Sequence, residues 1–185
     1  PTFKRCAIVF ETDVHLVDLS PVASVKQAMQ HDWPVGDVSF SHDGRFASTV
    51  DWSGALHLWE LSPIRLRWRS NVDRPEPRMS FGREFEEFKI QFSPGDEIIA
   101  VSDAKGIVRL FDVELGNSLG TPLKHAGMIH DFEFTIDGEC LNVLVATDDD
   151  DGDAGVEFIR WGLPKWSKAL DRAVRASKEE LAVRT

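Results

Sequence analysis

The chain has 185 residues, 42% hydrophobic and 28% charged, a balance that suits one folded domain with a real core and excludes a disordered segment. Its formal charge of −10 excludes a backbone binder of nucleic acid, which needs a basic stripe to release counterions. The two cysteines, Cys6 and Cys140, lie far apart in no metal-type spacing, and no apolar run reaches the about 18 residues of a membrane span. The expectation is therefore a cytoplasmic protein with free thiols, no membrane contact and no nucleic-acid partner.

After Pro1–Arg5, the apolar run Cys6–Phe10 is too short for a signal segment and ends in Glu11-Thr12-Asp13, so no targeting peptide is read there. A start at Pro1 without Met fits a fragment of a longer protein. Val14–Leu19 (VHLVDL) then opens a pattern that returns as Leu56–Leu61 (LHLWEL) and Val108–Val113 (VRLFDV). A second marker runs Val38–Gly44 (VSFSHDG), Ile90–Asp96 (IQFSPGD) and Phe132–Gly138 (FEFTIDG). Residues 14, 56 and 108 are separated by 42 and 52, and residues 40, 92 and 134 by 52 and 42. Two markers sharing one period define a repeat. The ten extra residues fall near 71–85, where Pro75, Pro77 and several charges fit a surface insertion.

Within each period the pattern is β. Short strands are predicted at Phe46–Val50, Ile98–Ser102 and Leu141–Ala146, followed by turns at Gly54, Gly106 and Gly155 and then by the acid-tipped strand. A fourth strand is predicted at Arg65–Trp68 and another at Leu119–Leu123. Arg65, Arg67 and Arg69 alternate with Leu66, Trp68 and Ser70, which predicts all three arginines on one face of an outer edge strand. Two readings stand: charge that protects an edge from strand addition, or a contact surface. The candidate partner-binding set is Arg65, Arg67, Trp68, Arg69, Arg74, Arg78 and Arg83. After Pro164 the period becomes helical, with Trp166, Ala169, Leu170, Ala173, Val174 and Leu181 on one face. Residues 1–163 thus read as β repeats and 164–185 as a C-terminal amphipathic α-helix, docked either on its own last unit or on a partner.

A period of about 40 residues, with four strands and a Trp-acid ending, resembles the WD40 repeat. The resemblance covers roughly residues 5–162, and FSHDGRFAS with LHLWEL is its most typical unit. Gly116–Leu123 resembles the family's connector between blades. His31 and His125 each stand nine residues before the next marker phenylalanine, where the family places a histidine. Departures are plain: the family's aspartate six residues before the tryptophan is Ser53 here, Lys105 stands at the same place before Phe111, and Arg83 replaces the third histidine. The resemblance implies an all-β propeller segment of four-stranded antiparallel blades. A first unit lacking its opening strand, two full units and a fourth lacking its closing strand make about fourteen strands. That is short of a closed ring, so further blades are expected from upstream sequence, another chain or a second copy.

Dedicated chemistry is harder to find. The acidic run Asp148–Asp153 fails as a calcium loop, because counting from Gly152 puts Thr147 first and Phe158 twelfth. His15 and His57 recur at one repeat position, as do Ser41 and Ser93, which points to packing and turn roles. No nucleophile elbow or phosphate-binding glycine loop is present. No catalytic, metal or cofactor residue is therefore assigned. The resemblance implies a non-catalytic protein-interaction scaffold or sensor, part of a larger signalling protein. The alternative is a propeller enzyme whose active site forms at the channel mouth once missing blades are present.

Overall fold

The hairpins start from one local device. In Ser41–Gly44 the serine hydroxyl donates to Asp43 Oδ1 (2.8 Å) and accepts from the Phe46 amide (2.9 Å), while Gly44 takes a φ of 71°. Thr135, Asp137 and Gly138 repeat it, with Thr135 Oγ1 donating to Asp137 (2.6 Å), accepting from the Cys140 amide (3.0 Å), and Gly138 at φ 70°. A short side chain that bonds its own backbone competes with regular structure and reverses the chain, so each marker motif closes a hairpin.

The computed structural model describes residues 5–19, 24–72, 88–103, 106–148 and 154–163, which form four antiparallel sheets. The first holds β1 (Arg5–Phe10), β2 (Asp13–Asp18) and β3 (Ser24–Gln30). The second holds β4 (Val35–Phe40), β5 (Phe46–Asp51), β6 (Ala55–Leu61) and β7 (Ile64–Asn71). The third holds β8 (Lys89–Phe92), β9 (Ile98–Asp103), β10 (Ile107–Asp112) and β11 (Ser118–Lys124). The fourth holds β12 (Ile129–Phe134), β13 (Cys140–Asp148) and β14 (Ala154–Gly162). Strands follow each other in order within every sheet. The described residues contain no helix, and the predicted C-terminal helix lies outside them, as does the acidic run from Asp149 to Asp153.

Register makes the repeats superimposable. Phe40 pairs with Ala47, Phe92 with Ile99 and Phe134 with Leu141, so these three strand pairs share one frame. Trp59, Phe111 and Trp161 then fall opposite Ala47, Ile99 and Leu141. In the first sheet His15 pairs with Ile8 as His57 pairs with Thr49, so β1 matches β5, the second strand of a full sheet. Among the described residues the first sheet lacks an opening strand and the fourth a closing one, as the repeat count predicts.

Consecutive sheets pack face to face. Val14, Leu16 and Met29 of the first meet Val35, Ala47, Trp59 and Leu61 of the second. Val50, Leu56 and Leu58 of the second meet Ile90, Phe92, Ile99, Val101 and Phe111 of the third. Ala100, Val108 and Leu110 of the third meet Phe132, Phe134, Leu141 and Val143 of the fourth. Leu58 and Trp59 are neighbours in sequence and both buried because each serves a different interface. Polar groups tie the same seams. Asp37 accepts from the Ile90 amide (2.9 Å), Gln91 from the Phe134 amide (3.2 Å), and Asp96 from the His42 and Asp43 amides.

Trp68 closes the outer end of the seam between the second and third sheets. Its indole Nε1 donates to the Val113 carbonyl (2.8 Å), and its ring lies on Gly116, where an added Cβ would stand 2.6 Å from Cδ2. Gly116 also holds a φ of 71°, which costs any other residue backbone strain. Replacing Gly116 with alanine is expected to lower stability by about 2–4 kcal/mol, read as a fall in the urea midpoint without a change in slope.

Candidate functional site

Three places carry polar or charged side chains in an arrangement of interest: a buried histidine junction, the arginine-bearing strand β7, and a groove across the opening strands.

The junction lies between the first and second sheets. His31, in the β3–β4 connection, has Nδ1 at 3.2 Å from the Thr12 carbonyl and Nε2 at 2.7 Å from Thr49 Oγ1. A carbonyl only accepts, so Nδ1 carries the proton and Nε2 accepts from the threonine hydroxyl. Thr49 Oγ1 in turn accepts from Trp59 Nε1 at 3.0 Å. The result is a relay, Trp59 to Thr49 to His31 to the β1–β2 turn, that works only with a neutral imidazole. The fourth sheet builds a shorter version. Trp161 Nε1 donates directly to His125 Nε2 (2.9 Å), and His125 Nδ1 donates to the Gly106 carbonyl of the third sheet (3.0 Å). Val143 occupies the place of Thr49, so no hydroxyl intervenes.

Behind His31 sits His57, only 4% exposed, with ring centroids 4.8 Å apart and planes at 87°. Burial pulls the His57 pKa down to about 4, reinforced by His31 and opposed by Asp51. Burial also lowers the His31 pKa, against the pull of the Thr12 carbonyl. Asp51 is fully buried. Its Oδ1 accepts from the Ser53 amide (2.9 Å) and hydroxyl and from the Ala55 amide (3.1 Å), while its Oδ2 and His57 Nδ1 are buried without a partner. In the third sheet the matching positions are Asp103 and Arg109, which form a direct ion pair at 3.1 Å.

Strand β7 is the outer edge of its sheet, as predicted, but its three arginines do not share one face. Leu58 pairs with Trp68 and Trp59 with Leu66, so Arg67 is an extra residue and breaks the alternation. Arg65 pairs with Glu60 and Arg69 with His57, and those two partners stand on opposite faces of β6. Arg65 binds the Glu60 carboxylate, Arg67 approaches it at 3.9 Å, and Arg69 reaches Asp32 at 3.0 Å. Trp68 is half-buried in the seam described above. Arg74, Arg78 and Arg83 lie outside the described residues.

The groove, of about 470 Å³, is lined by Gly36, Asp37, Lys89, Gln91 and Asp131 with Phe88 and Phe132 beneath. Asp37 and Asp131 are equivalent, each beside a bulge and each accepting from the next residue's amide, Val38 (2.8 Å) or Phe132 (3.0 Å). Burial raises the Asp37 pKa, against the amides of Ile90 and Val38. Lys89 Nζ bridges to Asp131 at 3.0 Å.

Sequence reasoning placed His31 and His125 as repeat markers and did not find Thr49. The signal was available: a hydroxyl-bearing strand, Phe46–Val50, stands between a marker histidine and a marker tryptophan. Asp37 and Asp131 were likewise missed, although their separation of 94 residues equals that of Phe40 and Phe134. No protein-family model matches the chain, and a search of curated proteins returns no match.

Thr49→Val should cost no more than about 2 kcal/mol, because it removes the hydroxyl between the Trp59 indole N–H and His31 Nε2, which can then meet directly as Trp161 and His125 do. Chemical denaturation measures it, and Arg65→Ala, at an exposed pair, should move the midpoint by less than about 0.5 kcal/mol.

Proposed function

We propose that the chain is a segment of a WD40-type β-propeller that serves as a non-catalytic protein-interaction scaffold or sensor within a larger cytoplasmic signalling protein. The observation that carries this reading is the histidine relay. The family often joins His, Ser/Thr, Asp and Trp by hydrogen bonds, and His31, Thr49 and Trp59 are joined in that way across two successive sheets. Asp51, at the end of β5, bonds the Ser53 amide and hydroxyl and the Ala55 amide rather than His31, so the relay here has three members and no carboxylate. The fourth sheet repeats the histidine–tryptophan contact with a valine in place of the threonine.

The end sheets support ring completion by further sheets. Ile8 and Phe10 on the first sheet are 53% and 67% exposed, and they match Thr49 and Asp51, which are fully buried against a preceding sheet. On the fourth sheet Leu144 and Phe158 are exposed where Val50 and Leu56 are buried against a following one. Apolar faces of this kind are docking surfaces. The partner surface proposed for other proteins is the β7 edge, with Arg65, Arg67 and Arg69 and the insertion arginines Arg74, Arg78 and Arg83. Trp68 faces inward and leaves that set. In the groove Asp37 accepts one backbone amide on each oxygen and ties β4 to β8, which suits a positioning role.

Light scattering tests the end faces: association of the isolated chain is expected, and a Phe10→Asp, Phe158→Asp double variant should reduce it to monomers. A wild-type monomer at high concentration would rule out completion by a second copy of this chain. For the β7 edge, a photocrosslinker at Arg67 in cells should capture protein adducts that a crosslinker at Ile136, on the β12–β13 turn, does not. Equal or absent capture would reject the arginine edge.

A further inference from the structure

We propose that the His31–His57 pair is an acid-operated latch between the first and second sheets, closed while both rings are neutral and released when either takes a proton. The proposal goes beyond the scaffold reading and starts from the geometry of the seam. His31 hangs from the β1–β2 turn of one sheet and the β5 hydroxyl of the next, so its bonds cross the seam. Its relay has a fixed polarity. With Nε2 protonated, His31 and Trp59 would both donate to Thr49 Oγ1, and the threonine proton would lose its acceptor. His57 adds the second element: its ring meets His31 edge-on at 4.8 Å and stacks on Trp59 at 5.9 Å, inside the same seam. Two rings so close inside a protein cannot both be charged without repulsion.

The surrounding charges do not cancel this. Asp51 faces the pair from β5 and Asp13 from β2, both favouring protonation, whereas Arg69 of β7 opposes it at His57. Arg69 is itself held by Asp32 at 3.0 Å. Burial outweighs the carboxylates, and both histidines titrate below their ordinary value. The sign follows. Once the seam opens, the rings regain an ordinary pKa near 6.5, so the open form binds more protons wherever the pH lies between that value and about 4. Closure is therefore complete above pH 6.5, weakens as pH falls through that window, and levels off below it. From His57 alone the open population should rise about a hundredfold between pH 7 and pH 4, and His31 adds in the same direction. The seam between the second and third sheets holds no buried histidine pair among the described residues; His42 meets Asp96 there at 2.9 Å with its ring largely exposed, and the fully buried Ile99 and Val101 of the third sheet serve as the reference.

Amide hydrogen exchange, corrected for the intrinsic pH dependence, reads the opening. Val14, Leu16 and Met29 of the first sheet should lose protection about a hundredfold relative to Ile99 and Val101 of the third between pH 7 and pH 4. His57→Gln should remove most of that difference. Parallel loss in the two sheets, or an undiminished difference in His57→Gln, would overturn the latch. Should that variant not fold, NMR titration of the wild-type ring decides: a His57 midpoint near 4 supports the proposal, and one near 6.5 rejects it.

Discussion

The described fold depends on the second and third sheets being buried on both faces. A sheet with one wet face can alternate apolar and polar residues, but a sheet between two others must be apolar at successive positions. Strands β6 and β9 show the consequence, with Ala55–Trp59 and Ile98–Ser102 buried without a break. Since the seams are the core, a residue's contribution is set by which seam it enters. Of the buried polar groups, Thr49 joins one sheet to the next, while Ser41, Ser48, Asp51 and Ser93 bond within their own sheet, and the half-buried Asp37, Gln91 and His31 stitch the seam edges.

The relay shows how a repeat tolerates drift. Losing the hydroxyl between histidine and tryptophan removes the partner that the two groups share. In the fourth sheet the indole instead meets the imidazole directly, so the same two groups stay satisfied with a valine beside them. The opposite solution appears at Asp51 and His57, whose counterparts Asp103 and Arg109 pair outright because a guanidinium reaches farther than an imidazole. The second sheet instead holds a buried imidazole in the same place, with its Nδ1 left without a partner.

The arginine strand carries a different lesson. Its charges lie at an edge, each beside a carboxylate, so the strand is neither a bare basic patch nor an open template for pairing. One extra residue at position 67 turns Arg65 and Arg69 to opposite sides. A partner reading this edge meets a rim of paired charges, which gives orientation and specificity more than raw affinity.

The sequence by itself determined the β class of the described residues, the period and the turns at Gly54 and Gly106, whereas Gly155, read as a turn, lies within β14. Those follow from side-chain periodicity and from local hydrogen bonding of Ser, Thr, Asp and Gly, which act within a few residues of chain. It also marked His31 and His125, each nine residues before a marker phenylalanine, and Trp59 within LHLWEL. Only the tertiary structure decided that Thr49 links two of them, that Asp51 bonds the turn at Ser53, that Trp68 turns inward onto Gly116, and that a bulge splits the arginines. Each of those depends on the register between strands or on the approach of one sheet to the next, and neither is encoded in the spacing along a single strand.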